Sequence, residues 1–261
     1  MEGLKVRDVM TEDVIWVDKS ASLEHILYLM EKNDITKIPV LDDEKLIGVV
    51  TDGEIVEKLG SIRKRDVNPA HLHATSVMVR EFDTVTPDTP VKEILKTVGL
   101  PGLTMLPVVD QGKLVGVVTK ADLLPLVEDE RPVKEIMTKN VLSVAPDDRV
   151  IHARRLIIEN NIARLPVLEE GKVLGIIAEM DIVRALADLK RSIPYRHQKH
   201  RLEEMLVRDA MRAPAVTGDP EMSIKDAAKK MADENVGCLP IVKDDRIEGI
   251  VTRTDVIKTL K

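Results

Sequence analysis

Residues 105–122 read MLPVVDQGKLVGVVTKAD, and residues 238–255 read CLPIVKDDRIEGIVTRTD. Two further stretches, KIPVLDDEKLIGVVTDGE at 37–54 and RLPVLEEGKVLGIIAEMD at 164–181, follow the same plan without a gap. Self-similarity of this kind marks a repeat architecture and takes precedence over any local reading. Four prolines anchor it: Pro39, Pro107, Pro166 and Pro240. Twenty-nine positions before them stand Met10, Met78, Met137 and Met211, and nine positions after them Gly48, Gly116, Gly175 and Gly249. Fifteen positions after them stand Glu54, Asp122, Asp181 and Asp255.

Outward from the anchors the periodicities fall in a fixed order. Leu23, Ile26, Leu27 and Met30 have the spacing of one helix face, as do Val91, Ile94, Leu95 and Val98, which predicts a helix with one buried side. Ile224, Ala227, Ala228 and Met231 keep that face in the fourth copy, whereas the third has Arg154 at the offset of Leu27. After each proline two short apolar, largely β-branched runs flank a polar turn, at 42–45, 110–113, 169–172 and 243–246, which predicts a β-hairpin. A second helix, such as 180–189, closes each unit. Strand, helix, hairpin and helix make an α/β (α+β) unit of roughly 55 residues, small for an independent core, so the units should pair. They span 4–60, 74–128, 133–189 and 204–261, with linkers at 61–73 and 190–203. The anchor prolines lie 68, 59 and 74 residues apart, which groups the first unit with the second and the third with the fourth.

Side-chain chemistry repeats with the same grouping. One place after the hairpin's Thr or Ala stand Asp52 and Glu179 in units 1 and 3, but Lys120 and Arg253 in units 2 and 4. Two places before the proline, units 1 and 3 carry Lys37 and Arg164 against Met105 and Cys238. A duplicated pair accounts for both alternations.

Composition excludes several function classes. A net charge of -6 argues against a global footprint for nucleic acid or an anionic membrane. Aromatic residues are only 2% of the chain, which removes the stacking platforms that usually hold single strands and leaves the core to Val, Ile, Leu, Met and Ala. The start, MEGLKVRDVM, has charges where a signal peptide needs an apolar stretch, so the chain reads as cytoplasmic and without a membrane span. Cys238 is the only cysteine, too few for a disulfide or a Cys-based zinc site, and reads as a small buried hydrophobe. His71 and His73 have metal-like strand spacing but no third ligand, and are expected in solvent.

The residues that end each hairpin resemble the signature of cystathionine-beta-synthase (CBS) domains, a G-h-h-T/S-x-x-D stretch. It is complete as Gly116-Val117-Val118-Thr119-Lys120-Ala121-Asp122 and as Gly249-Ile250-Val251-Thr252-Arg253-Thr254-Asp255. Unit 1 departs by ending in Glu54, and unit 3 by having Ala178 in place of the hydroxyl. The resemblance covers nearly the whole chain and is to proteins built of two CBS pairs (Bateman modules), such as the gamma subunit of AMP-activated protein kinase and its archaeal stand-alone relatives. It implies that Asp122, Asp255 and Asp181 hold a ribose diol and that the hydroxyls of Thr51, Thr119 and Thr252 meet phosphate. It implies further that the base lies against the first strand at Trp16, Thr84, Ser143 and Thr217, and that Lys37 and Arg164 reach phosphates.

Without any family, Thr-x-x-Asp at a helix start is a capping box. The box prefers Glu at its last position, yet three of the four copies have Asp, and a helix start also offers free N–H groups to a phosphate. Lys120 and Arg253 supply the paired charge that a desolvated phosphate needs, which favours units 2 and 4. The basic joins, Arg63-Lys64-Arg65 and the stretch from Lys190 to Arg201, read as solvated linkers.

The expected function is therefore a regulatory, energy-sensing module that binds AMP, ADP or ATP between paired units and signals to a regulated protein, as a monomer or homodimer. No cofactor is required. S-adenosylmethionine and NAD share the adenosine and stay open as ligands. An enzyme is disfavoured, because the chain has no spare cysteine nucleophile, no phosphate-binding glycine loop and no room for a catalytic barrel. A nucleic-acid binder would have to rely on the basic join at 190–201 and is disfavoured by the net charge.

Overall fold

The computed structural model describes residues 3–59, 72–98, 105–192 and 195–260, with the backbone alone at 97–98 and 195–199. The first unit runs β1 (Val17–Asp18), α1 (Leu23–Lys32), β2 (Lys37–Asp42), β3 (Lys45–Thr51) and α2 (Asp52–Leu59). The second runs α3 (Ala74–Val77), β4 (Met78–Val79), α4 (Val91–Val98), β5 (Met105–Asp110), β6 (Lys113–Thr119) and α5 (Lys120–Leu123). The third contains α6 (Val150–Glu159), β7 (Arg164–Glu169), β8 (Lys172–Ala178) and α7 (Glu179–Ser192). The fourth contains α8 (Tyr195–Glu204), α9 (Val207–Ala210), α10 (Ile224–Asp233), β9 (Cys238–Lys243), β10 (Arg246–Thr252) and α11 (Arg253–Ile257). Among the described residues no helix is long and apolar enough to cross a membrane.

All four predicted hairpins form, antiparallel and each with one register shift. Their two-residue turns take positive φ at both central positions: Asp43 and Glu44, Gln111 and Gly112, Glu170 and Gly171, Asp244 and Asp245. That conformation matches the right-handed twist of the flanking strands. The first strand is minimal, β1 lying parallel to β2 in unit 1 and shrinking to single bridges, Val85 to Val108, Val144 to Val167 and Gly218 to Ile241, in the others. The closing helix is long only in α2 and α7. In unit 2, Pro125 tightens the chain after α5 into a 3-10 turn at Leu124–Leu126, and α11 likewise passes into a 3-10 turn.

The anchors of the repeat meet one another across the pairs. The segment around Met10 lies on β6 of unit 2, Thr11 bridging Val117, while β4 of unit 2 pairs with β3 of unit 1, Val79 opposite Val49. Units 3 and 4 exchange segments in the same way, Thr138 bridging Ile250 and Arg212 bridging Ile176. Each repeated methionine thereby covers the repeated glycine of its partner. A Cβ at Gly116 would come within 2.8 Å of Met10 Sδ, and one at Gly48 or Gly249 within 2.6 Å of Met78 or Met137 Sδ. At Gly175 the obstruction is main chain, the Arg212 carbonyl oxygen at 2.5 Å.

Core packing joins the units in the other direction. One buried cluster unites Leu23, Ile26, Met30 and Ile55 of unit 1 with Val150, Ile157, Leu165 and Ile182 of unit 3. A second unites Leu95, Leu106 and Leu123 of unit 2 with Ile224, Met231, Leu239 and Val256 of unit 4. Sheet edges join 1 to 2 and 3 to 4, and apolar helix faces join 1 to 3 and 2 to 4, so the four units close into a ring within one chain. Arg154, the odd residue of its helix face, belongs to this interface. Its guanidinium donates to the carbonyls of Val56 and Glu57 at 3.0 Å each, satisfying the C-terminal end of α2 in unit 1. The join drawn at 190–203 is largely helical, because α7 extends to Ser192 and Leu202 of α8 packs on the first cluster.

Gly175→Ala should therefore cost more than Gly116→Ala, since a methionine side chain can move aside and a strand carbonyl cannot, and the carbonyl stands at 2.5 Å from a Cβ at Gly175 but at 3.1 Å from one at Gly116. The expected loss of unfolding free energy is about 1–3 kcal/mol for Gly175→Ala and less for Gly116→Ala, measured by urea denaturation. Equal losses would show that the lead segments do not lie as tightly on the hairpins.

Candidate functional site

Ring closure brings the closing helices together at their N-terminal ends. At the junction of units 1 and 3, the first turn of α2 presents Asp52, buried, and the first turn of α7 presents Glu179. A Cβ on Gly53 would stand 3.0 Å from Glu179 Oε1. At the junction of units 2 and 4 the same offset carries bases, and Lys120 Nζ donates to Thr254 Oγ1 at 2.6 Å. The alternation in the sequence thus places acids at one junction and bases at the other.

Lys37 and Arg164 reach the same centre from the strands before the prolines. Burial, with Lys37 and Arg164 as neighbouring cations, pushes Lys120 down to about 8. Burial, followed by Arg164, pushes Arg253 down to about 10. Arg253 donates to Val236 O and Asn235 Oδ1, both at 3.0 Å, and Asn235 donates in turn to Asp34 Oδ2 of unit 1 at 2.6 Å. Arg164 lies over Gly237, where any Cβ would overlap its guanidinium, and Cys238 is buried beside it. One cation from each repeat, Lys37, Lys120, Arg164 and Arg253, therefore enters one region.

The four acids at the motif's end differ in what they hold. Asp122 Oδ2 accepts from Thr119 N at 2.6 Å and Thr119 Oγ1 at 2.7 Å, while its Oδ1 accepts from Thr11 Oγ1 of unit 1 at 3.0 Å. Asp255 Oδ2 accepts from Thr252 N at 2.9 Å and Thr252 Oγ1 at 2.7 Å, and among the described residues its Oδ1 has no donor. Capping and ligand binding are not exclusive here, because the box uses one carboxylate oxygen and leaves the other. Asp181, its hydroxyl partner replaced by Ala178, accepts from Ala178 N at 2.9 Å and from Arg212 Nε at 2.9 Å. Glu54 does not close its box: Thr51 Oγ1 accepts from Glu54 N at 3.2 Å, and the carboxylate lies 3.8 Å from Lys58.

Of the first-strand positions, Ser143 and Thr217 are half-buried, Thr84 is exposed and Trp16 is 52% exposed. His73 is exposed, its Nδ1 at 2.8 Å from Ser20 O. Arg63, Lys64, Arg65 and His71 lie outside the described residues, as do the side chains of Arg196, His197 and Lys199. In the remainder of that basic stretch Arg191 pairs with Glu24 and Asp188, and Arg201 with Glu204. A groove of about 480 Å³ between α1 and α7, lined by Tyr28, His25 and Arg184, includes Met180 of the unit 3 motif but none of the candidate ligand-binding residues. Sequence reading missed Thr11, Arg212, Asp34 and Asn235. Thr11 and Arg212 each follow a repeated methionine, so the position was marked although its meaning was not.

Comparison with known proteins matches this geometry to a family. The family model described as the CBS domain matches residues 6–61, 74–129, 133–188 and 207–261. The protein MJ1404 of Methanocaldococcus jannaschii is 29% identical over 97% of this chain, which spans 61% of that protein's length. MJ1225 of the same organism is 26% identical, over 94% of each chain. Its crystal structure, described as that of a candidate archaeal homologue of g-AMPK, superposes with a TM-score of 0.86 at 22% identity, covering 99% of this chain and all of that one. The inosine-5'-monophosphate dehydrogenase of that organism is 34% identical over 42% of this chain, but over only 23% of the enzyme.

Glu179 gives the centre a pH dependence. Burial and the Asp52 carboxylate push it up to about 7 from 4.5, against the opposing pull of Lys37 and Arg164. Between those values the folded chain holds a proton that the unfolded chain has lost, so the contribution to stability is full below pH 4.5 and lost as pH rises through 7. Lys120 acts at higher pH: the cost of its buried ammonium is present below about 8 and relieved toward 10.5. Glu179→Gln should raise the unfolding free energy at pH 8 by about 1–3 kcal/mol, with no gain near pH 4.5, as followed by denaturation across pH. A gain independent of pH would remove the titration of Glu179 as its cause.

Proposed function

The chain belongs to the CBS-domain family, and on that premise we propose that it is a regulatory module that binds adenosine nucleotides, AMP, ADP or ATP, at the ring centre. The ribose diol is held by the second carboxylate oxygen of Asp255, and of Asp122 in place of Thr11. Phosphates are met by Thr119, Thr252 and the four central cations, and the base rests against the first-strand positions Ser143 and Trp16 of the partner units. The observation that carries this reading is the convergence of Lys37, Lys120, Arg164 and Arg253, with Lys120 depressed to about 8. A buried cation pushed down by burial and by neighbouring cations, as Lys120 is by Lys37 and Arg164, is relieved by an anion, and one cation from each repeat suits a ligand with its phosphates on the ring axis. S-adenosylmethionine, which has no phosphate and carries a sulfonium cation, fits this centre less well, and NAD brings its own diphosphate. A nucleic-acid role at the basic join is weakened by its pairing with Glu24, Asp188 and Glu204. The ring closes within one chain, so a second copy is not needed to complete a pair. In the cytoplasm the occupied ring would present a changed conformation to a regulated partner protein.

Thermal denaturation with AMP, ADP, ATP, S-adenosylmethionine and NAD tests the ligand class. A ligand at 100 times its dissociation constant stabilises by about 2.7 kcal/mol per site. A flat response to all five would overturn the proposal. Asp255→Ala should lower affinity at its site roughly 10- to 150-fold, through the loss of charged hydrogen bonds of about 1.5–3 kcal/mol. It should also lower stability by about 0.5–2 kcal/mol, because the same carboxylate closes the cap. Calorimetric titration beside urea denaturation reads both. Loss of stability with unchanged affinity would leave Asp255 a cap alone. Purified chain incubated with ATP should release no ADP; hydrolysis abolished by Asp255→Ala would show the opposite.

A further inference from the structure

The four acids do not stand in equivalent surroundings, and the third is already occupied by the chain itself. Thr11, Val79, Thr138 and Arg212 all follow a repeated methionine and cross the partner unit beside its motif. Thr11 shows what that position can reach, its hydroxyl donating to Asp122 Oδ1 at 3.0 Å. Arg212, at the same position, puts a guanidinium there instead. Its Nε donates to Asp181 Oδ1 at 2.9 Å, Arg184 Nη1 lies 3.5 Å from the same oxygen, and Ala178 N donates to Oδ2. The Asp181 side chain is 1% exposed, whereas Asp122 and Asp255 are only partly buried.

We infer that Arg212 is an internal plug that closes the Asp181 site, so that nucleotides are held through Asp122 and Asp255 but not through Asp181. The inference rests on the reading that these acids take the ribose. To enter, a ribose diol would have to replace a charged donor by neutral hydroxyls and strip a buried carboxylate of the nearer of its two cations, an exchange that breaking a buried pair makes unfavourable. The plug is held from behind. Arg212 N donates to Ile176 O at 2.9 Å, Ile176 N donates to Arg212 O at 3.0 Å, and Gly175 has no Cβ to push the segment away. A second departure falls in the same unit, since Ala178 lacks the hydroxyl that the resemblance assigns to phosphate. The arginine itself is 56% exposed, so removing its guanidinium leaves the surrounding packing in place.

The test is calorimetric stoichiometry with AMP, on the full chain, for the wild type and for Arg212→Thr, which installs the residue found at Thr11 and Thr138. Arg212→Thr is expected to bind one more AMP per chain, and adding Asp181→Asn to it should abolish the extra site. Arg212→Ala serves as a second variant should Arg212→Thr fold poorly, as judged by circular dichroism. Unchanged stoichiometry in a folded variant, with AMP bound by the wild type, overturns the plug and leaves the nucleotide reading intact. A gained site that survives Asp181→Asn also overturns it. Binding by the variant alone supports the plug and removes Asp122 and Asp255 as sites, whereas binding by neither overturns both.

Discussion

Four glycines without a Cβ let the lead segment of one repeat lie directly on the hairpin of its partner, and the architecture follows from that contact. At Gly48, Gly116 and Gly249 the space of a side chain is filled by a methionine sulfur from the partner, and at Gly175 by the Arg212 carbonyl. The exchanged backbone completes the hydrogen bonding of each hairpin's second strand, so a repeat left alone would expose an unpaired edge. Pairing is thus written into the backbone. Once paired, each repeat still has an apolar helix face to cover, and it does so on the corresponding repeat of the other pair, first on third and second on fourth. Two kinds of contact at two edges of every unit leave a closed ring as the outcome.

The ring determines which charges meet. Because equivalent repeats face each other, residues at one offset share a junction: Asp52 meets Glu179, while Lys120 and Arg253 each stand beside Arg164. Burial, together with these like-charged neighbours, is costly, and the cost appears as the displaced titration of Glu179, Lys120 and Arg253. Lys37 and Arg164 soften the acid junction, while Asp255 acts on Lys120 and Asp122 on Arg253. The two motifs of the second junction thereby support each other crosswise, the acid of one beside the base of the other. A strained charge arrangement of this kind is common where a ligand completes the neutralisation.

Much of the fold was legible because the repeat offers four independent readings of every position. The hairpins, the first helices and the grouping of units came from periodicity and spacing. Methionine and glycine were read as anchors, yet their contact was not, since two residues that repeat at fixed offsets within a unit give no sign that they meet across units. Arg154 showed the same limit, breaking the pattern of its own helix because it serves the carbonyls of α2 in another repeat. The closing helix of unit 2 came out short where Pro125 stops α5, a local signal that the analogy with 180–189 overrode, and α11 of unit 4 is short without a proline. In the site, residue types were readable from the motif, but not the exchange that brings Thr11 to Asp122 and Arg212 to Asp181.

That exchange also shows that a cap and a second contact can share one carboxylate. A carboxylate three residues into a helix can satisfy the N-cap amide with one oxygen, and the short reach of aspartate holds that oxygen over the helix start, as in units 2 and 4. The second oxygen is left facing whatever the partner's lead segment supplies. In unit 4 it has no protein donor among the described residues, in unit 2 it has a hydroxyl, and in unit 3 a guanidinium. Glu54, one methylene longer, leaves the cap altogether and turns along α2 toward Lys58. The cap therefore fixes the geometry of the acid, and the partner's residue fixes its availability. Four copies of one motif can then diverge in what their acids leave open, by changes at a position outside the motif, with the helix starts that build the ring left intact.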